Sequence, residues 1–280
     1  MTKSETDIRN AIEEKYRGLA LNGKGAERPE DDERVIRIYS PEEMDSIPKE
    51  VSVSSCACGN PVALASLKEG EIVLDLGSGA GMDAFLAARR VGETGRVIGV
   101  DRQDEMLEKA RKAAIKQGIS NVEFRKGDIG SLPVESGTID VILSNCVINL
   151  ATDKEAVFRE AMRVLRPGGK LAISDRVLKR ELPPEALDDL DLWSSCVSGA
   201  LLEREYLSLI EKAGFVDVRV EDSNSYSRKD LEGMVDSVAR RKRESGEEFD
   251  EGLYIRSYMA IASDRIVAWK PVSKECLGKV

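Results

Sequence analysis

The feature that most narrows the fold is a short apolar run, Ile72-Val73-Leu74-Asp75-Leu76, that leads straight into Gly77-Ser78-Gly79-Ala80-Gly81. A run of that length reads as a buried strand. Glycines directly behind it let the chain turn tightly and bring backbone close to a ligand before a helix begins. Helical spacing resumes at once, from Met82 to Arg90. The same rhythm continues downstream, with strands expected at Arg96 to Val100, Val122 to Arg125, Thr138 to Ser144 and Lys170 to Ser174. Helices are expected from Asp104 to Lys116 and from Thr152 or Asp153 to Leu165, the latter ended by Pro167-Gly168-Gly169. A helix over Glu203 to Ala213, a strand over Phe215 to Val220 and a late strand over Tyr254 to Ala262 close the sheet. The expected class is therefore α/β, a doubly wound, mostly parallel seven-stranded sheet with right-handed crossovers.

Around this unit the pattern is less regular. An N-terminal helix is expected over residues 6 to 20, a polar link over Asn22 to Asp32, and mostly irregular chain from Tyr39 to Pro61 with a short helix at Pro41 to Met44. One insertion separates Asp175 from Glu203; a second segment follows Ser225 and contains a helix over Leu231 to Arg243. This divides the chain into an N-terminal helix and linker (1–38), a ligand-binding domain (39–224) and a C-terminal helix with closing strand (225–280). A hydrophobic fraction of 41% is enough to build a core. No apolar run is long enough to span a bilayer, and Met1-Thr2-Lys3-Ser4-Glu5 lacks the basic-then-apolar pattern of a secretion signal, so the expected setting is cytoplasmic and away from membranes. A formal charge of -9 argues against nucleic acid. The dense basic run Arg240-Arg241-Lys242-Arg243 is followed by Glu244, Glu247 and Glu248 and reads as a solvated helix end.

The glycine spacing is G-x-G-x-G, with Met82 where a dinucleotide fingerprint would place its third glycine. That favours S-adenosylmethionine over a nicotinamide cofactor. Asp101 ends the second strand, where a carboxylate can accept both ribose hydroxyls. Asp128 follows the third, placed to accept from an adenine amino group while Ile129 packs on the ring. In order and spacing, residues 71 to 221 resemble the class I S-adenosylmethionine-dependent methyltransferases, including the turn Leu165-Arg166-Pro167-Gly168-Gly169. The resemblance implies cofactor contacts at Asp75, Gly77, Ser78, Gly79, Asp101, Arg102, Met106, Asp128, Ile129 and Asn145.

There is no histidine in the chain, which removes the commonest general base and metal ligand. There are five cysteines: Cys56, Cys58, Cys146, Cys196 and Cys276. An odd count without a secretion signal argues for free thiols. Taken singly, each reads as a small buried apolar side chain. Their positions say more. Cys146 follows the fourth strand, Cys196 lies in the insertion after the fifth, and Cys58 precedes the first, so three thiols from three segments can converge on one soft centre.

Cys58-Gly59-Asn60-Pro61, Ser144-Asn145-Cys146-Val147-Ile148-Asn149-Leu150 and Cys196-Val197-Ser198-Gly199-Ala200, together with the glycine loop, resemble the arsenite methyltransferases over most of residues 39 to 221. The resemblance implies that Cys58, Cys146 and Cys196 hold As(III), with S-adenosylmethionine as co-substrate, a thiol as reductant, and no metal needed for catalysis. The chemistry agrees. Thiolates select soft centres. Three sulfurs leave the arsenic lone pair at the apex of a pyramid, aimed at the sulfonium methyl, and alignment supplies most of the rate. No proton need leave the nucleophile, so the missing histidine is no obstacle. The chain departs from the family between Leu21 and Glu33, where relatives often carry further cysteines and it has none. Cys56 stands where many relatives lack a thiol, either as an auxiliary thiol or idle; Cys276 reads as incidental.

Three other readings remain. A carbon or oxygen of a small metabolite is the acceptor, with Asp175, Tyr226 or Tyr206 as base and the cysteines as packing. A zinc–thiolate site is a second, disfavoured because the chain lacks C-x2-C pairs. A non-catalytic As(III)-binding protein that retains the cofactor as a ligand is the third.

Overall fold

A computed structural model describes residues 3–22, 38–52, 57–246 and 248–272. Its strands are β1 (Ile72–Leu76), β2 (Arg96–Asp101), β3 (Val122–Lys126), β4 (Ile139–Asn145), β5 (Leu165–Leu178), β6 (Val216–Ser225) and β7 (Ile261–Trp269). The main helices are α1 (Glu5–Asn22), α2 (Met82–Val91), α3 (Asp104–Gln117), α4 (Lys154–Val164), α5 (Glu203–Lys212), α6 (Arg228–Ser245) and α7 (Glu251–Tyr258). The strands form one sheet in the order β3-β2-β1-β4-β5-β7-β6. Pairings from β3 to β5 are parallel, and β7 runs antiparallel to both β5 and β6. The chain leaves β1 toward β2 and β3, then returns to place β4 on the other side of β1. That reversal opens a crevice at the carboxyl ends of the strands, where ligands of open α/β sheets bind.

Alternation along β1 explains why both faces are covered. Val73 joins one core cluster with Phe85 and Leu86 of α2 and Leu107 of α3. Leu74 and Leu76 join a second with Val157 and Phe158 of α4 and Ile210 of α5. Leu74, Leu76, Ile142 and Leu143 have no exposed surface, so each contributes roughly 1.5–3 kcal/mol of burial. A third cluster joins the 178–202 insertion to the C-terminal helices through Leu192, Val197, Leu231, Val235 and Tyr258.

The expected elements recur with shifts of a residue or two at most boundaries, including the short helix Pro41–Asp45. Two expectations are corrected. The segment Tyr254 to Ala262 is mainly helical, not a strand: Asp250 accepts from the Leu253 N–H and caps α7, whose Tyr254, Ile255 and Tyr258 pack into the third cluster. The seventh strand follows as β7. Pro167-Gly168-Gly169 does not end a helix either. Helix α4 stops at Val164, and β5 begins at Leu165, paired with Ile139. The link at residues 23–32, Cys56 and Cys276 lie outside the described residues. No described helix is long and apolar enough to cross a membrane.

Candidate active site

The carboxyl ends of β1 to β4 surround a cavity of about 820 Å³. Gly77 and Gly79 shape its floor with φ of +61° and +52°, a region that residues with side chains enter only at a cost. Gly77 also lies against Val147, and a Cβ there would run into that side chain. The loop is tied down by Asp101. Its Oδ2 accepts from the Gly79 N–H at 2.8 Å and its Oδ1 from the Gln103 N–H at 2.8 Å. Burial raises the Asp101 pKa, while these backbone N–H groups pull it back. Across the opening, Asp128 accepts from the Gly130 N–H at 2.8 Å and faces Arg102 at 3.7 Å. Met106 and Ile129 supply apolar wall. Asp75, Gly77, Ser78, Gly79, Asp101, Arg102, Met106, Asp128, Ile129 and Asn145 all line this one cavity.

Cys146 lines it too, and the other two cysteines reach Cys146. Cys58 and Cys146 are joined by a disulfide with their Cα atoms 5.8 Å apart. Cys196 keeps its thiol, which donates to the Cys146 carbonyl oxygen at 2.9 Å. This corrects the expectation of free thiols throughout: separation in sequence hid a pair that the fold brings within bonding distance. Among the described residues, no group of three or more His, Cys, Asp or Glu is arranged to hold a metal ion. Cys146 and Cys196 both have φ of +57°. Among the described residues only Ser66 and Asp217 are further non-glycine residues with positive φ. Such backbone costs of order 1–3 kcal/mol and persists where surrounding structure enforces it, commonly at functional sites.

A buried polar joint connects the Cys58 turn to the glycine loop. The Asn145 Nδ2 group has Tyr39 Oη at 3.0 Å, the Gly59 carbonyl at 2.8 Å and Asp83 Oδ2 at 2.9 Å; its Oδ1 accepts from the Cys58 N–H at 2.9 Å. Tyr39 donates in turn to Asp83 at 2.9 Å. Burial pushes Asp83 up to about 6, opposed by the Asn145 and Tyr39 hydrogen bonds. Asp75, beneath the loop, is raised by burial and by Asp83 beside it. Asn145 thus lines the cavity while committing its amide to protein partners. Gly59 lets the Cys58 turn lie flat on β5, since a Cβ there would sit 2.6 Å from Ser174 Oγ.

Comparison with known proteins places this geometry. Residues 67–214 match the family described as "Methyltransferase domain". The arsenite methyltransferase of Halobacterium salinarum is 50% identical over 163 residues, 58% of this chain and 42% of that protein. The human arsenite methyltransferase is 36% identical over 205 residues, 69% of this chain and 54% of that one. Among solved structures, an arsenic(III) S-adenosylmethionine methyltransferase from Chlamydomonas reinhardtii superposes with a TM-score of 0.66 at 34% identity, covering 84% of this chain and 75% of that chain. The chain belongs to the arsenite methyltransferase family. It spans about half the length of the curated relatives it matches.

In this arsenite methyltransferase homologue a second polar cluster flanks Cys196. Asp175 is fully buried and accepts from Asn149 Nδ2 at 2.9 Å, the Arg176 N–H at 2.9 Å and the Tyr206 hydroxyl at 3.1 Å. Burial pushes it up to about 6. Lys154 donates to the Ala151 carbonyl at 2.9 Å; burial lowers it to about 8, against the opposing pull of Asp175 and Cys196. Sequence reasoning missed Tyr39 and Asp83, and it missed Arg9, Ile12, Glu13 and Tyr16 of α1, which cover the cavity mouth. A lone tyrosine carries no local signal. The α1 face was visible as helical spacing, but its target was not.

Proposed function

We propose that this member of the family transfers the methyl group of S-adenosylmethionine to As(III) held by Cys58, Cys146 and Cys196. The observation that carries the reading is the position of Cys146: it lines the glycine-loop cavity, is joined to Cys58, and accepts the Cys196 hydrogen bond at its own carbonyl. S-adenosylmethionine fits the cavity through Asp101, Asp128 and the glycine loop. The arsenic lone pair forms the As–C bond, the S–CH3 bond breaks, and its electron pair stays on the sulfur of departing S-adenosylhomocysteine. A thiol reductant must first open the Cys58–Cys146 disulfide to present three sulfurs. That requirement suits a reducing compartment such as the cytoplasm. The step calls on no resident metal, and a net charge of -9 gives nucleic acid little to hold.

The rival with a carbon or oxygen acceptor needs a base facing the cavity. Asp175 is saturated with donors, Tyr206 is buried and hydrogen-bonded to it, and Tyr226 accepts from Arg176; none of the three lines the cavity. Incubation with methyl-labelled S-adenosylmethionine, a thiol and arsenite tests the proposal. Labelled methylarsenicals formed only with arsenite support it. S-adenosylmethionine binding without transfer sinks it.

A further inference from the structure

The tripeptide that carries the third sulfur is held by cations from distant parts of the chain. Ser194 ends a short helix, Leu190–Ser194, so its carbonyl and that of Ser195 lie at the helix's negative end without intrahelical partners. From α1, Lys15 Nζ donates to the Ser194 carbonyl at 3.0 Å and to Ser195 Oγ at 2.8 Å. From β5, Arg176 Nη1 donates to the Ser195 carbonyl. Cys196 follows directly, in its left-handed conformation. A residue in that conformation stays there only if its neighbours are fixed.

Both cations are themselves anchored. Arg176 lies over the rings of Tyr226 and Tyr258, at 5.7 and 5.3 Å from their centroids, and donates to Tyr226 Oη at 3.2 Å. Tyr258 in turn packs on Tyr254, with centroids 4.6 Å apart. These tyrosines come from the C-terminal segment, whose role the sequence did not reveal. Helix α1 is pinned at the cavity rim by the Arg17–Glu105 ion pair at 2.9 Å and by the Gln103 amide on the Glu13 carbonyl at 3.4 Å.

We propose that Lys15 and Arg176 are positioning residues that lock the Ser194–Cys196 turn and so hold the third sulfur over Cys146. The proposal rests on the three-thiol reading of the site. It gives the N-terminal helix and the C-terminal tyrosines one shared task. Neither cation touches the reacting atoms.

The test compares Lys15→Met and Arg176→Met with Lys15→Arg and Arg176→Lys in the full chain under reducing conditions. Three quantities are read: the rate at which iodoacetamide alkylates Cys196, located by peptide mass spectrometry; kcat and KM for arsenite; and S-adenosylmethionine affinity by calorimetry. In both Met variants the arsenite KM is expected to rise about tenfold, within the roughly hundredfold that a misplaced reacting group can cost. Lys15→Met is also expected to accelerate Cys196 alkylation about tenfold, whereas in Arg176→Met the lost cation disfavours the thiolate and KM is the deciding reading. S-adenosylmethionine affinity should stay at the wild-type value, and Lys15→Arg should recover most of the loss. Arg176→Lys should recover less, because an ammonium cannot stack on two rings while donating a planar fork. An unchanged arsenite KM in both Met variants, with unchanged alkylation in Lys15→Met, would overturn the proposal. So would losses in arsenite KM matched by equal losses in S-adenosylmethionine affinity. If the wild-type protein transfers no methyl to arsenite, the proposed function fails, and the alkylation arm still judges the turn.

Discussion

At the scale of single residues, Cys146 and Asn145 are neighbours with divided duties. Cys146 turns its backbone into the left-handed region and meets both other cysteines, whereas Asn145 faces the Cys58 turn, Tyr39 and Asp83. Replacing Cys146 or Cys196 with Ser should abolish methyl transfer to arsenite while S-adenosylmethionine affinity stays near wild type. Transfer of label and calorimetry on the same preparations check both halves. Asn145→Ala strips partners from the Cys58 N–H, the Gly59 carbonyl and Asp83 together. Leaving buried polar groups unpaired costs about 1–3 kcal/mol each, so this variant should lose several kcal/mol in a urea titration at most, and turnover more than cofactor affinity. Pattern and family resemblance together pointed to ten of the residues that line the cavity, because all but Met106 sit in the glycine loop or at or just beyond a strand's carboxyl end, where spacing is a local property. Tyr39, Lys15 and Arg176 had no such marker, since their partners lie 44, 180 and 50 positions away.

At the scale of elements, the glycine loop and the sheet order decide where chemistry can occur. Gly77→Ala adds a methyl that meets Val147 and forces alanine to a φ of +61°. A loss of roughly 1–3 kcal/mol in stability and a clear loss of S-adenosylmethionine affinity are expected. Thermal melts and calorimetry separate the two. Element type was readable wherever length and period agreed, as in Ile72–Leu76 or α3. It was not readable at Tyr254 to Tyr258, where aromatic and β-branched residues carry strand preference but Asp250 caps a helix and the third cluster receives its apolar face. Tertiary contact overrode propensity there.

At the scale of the whole molecule, buried acids set how stability responds to pH. Asp83 and Asp175 both rise from an ordinary 3.8 to about 6 on folding. The folded protein therefore holds these protons more tightly than the unfolded chain does. Their contribution is fully present below the unfolded value and is lost as pH rises through about 6. Melting temperatures recorded across that window should carry a downward component with rising pH. Asp83→Asn, which can still pair with Tyr39 and Asn145, should flatten it; an unaltered slope would remove Asp83 as a source. The three core clusters are joined across one sheet, so a single melting transition is expected.

The disulfide has a mechanical side. Cys58 and Cys146 are 88 positions apart, so their bond closes a ring of chain containing β1 to β4. A closure of that length restrains the unfolded chain by about 4–5 kcal/mol on the loop-entropy account. Reduction, which the proposed chemistry demands, releases that ring. Under the proposed function, an arsenic atom gripping both sulfurs would fasten it again, making the substrate a temporary rivet in the protein that holds it. The reduced protein should then melt lower than the oxidised one and recover much of the difference when arsenite is added.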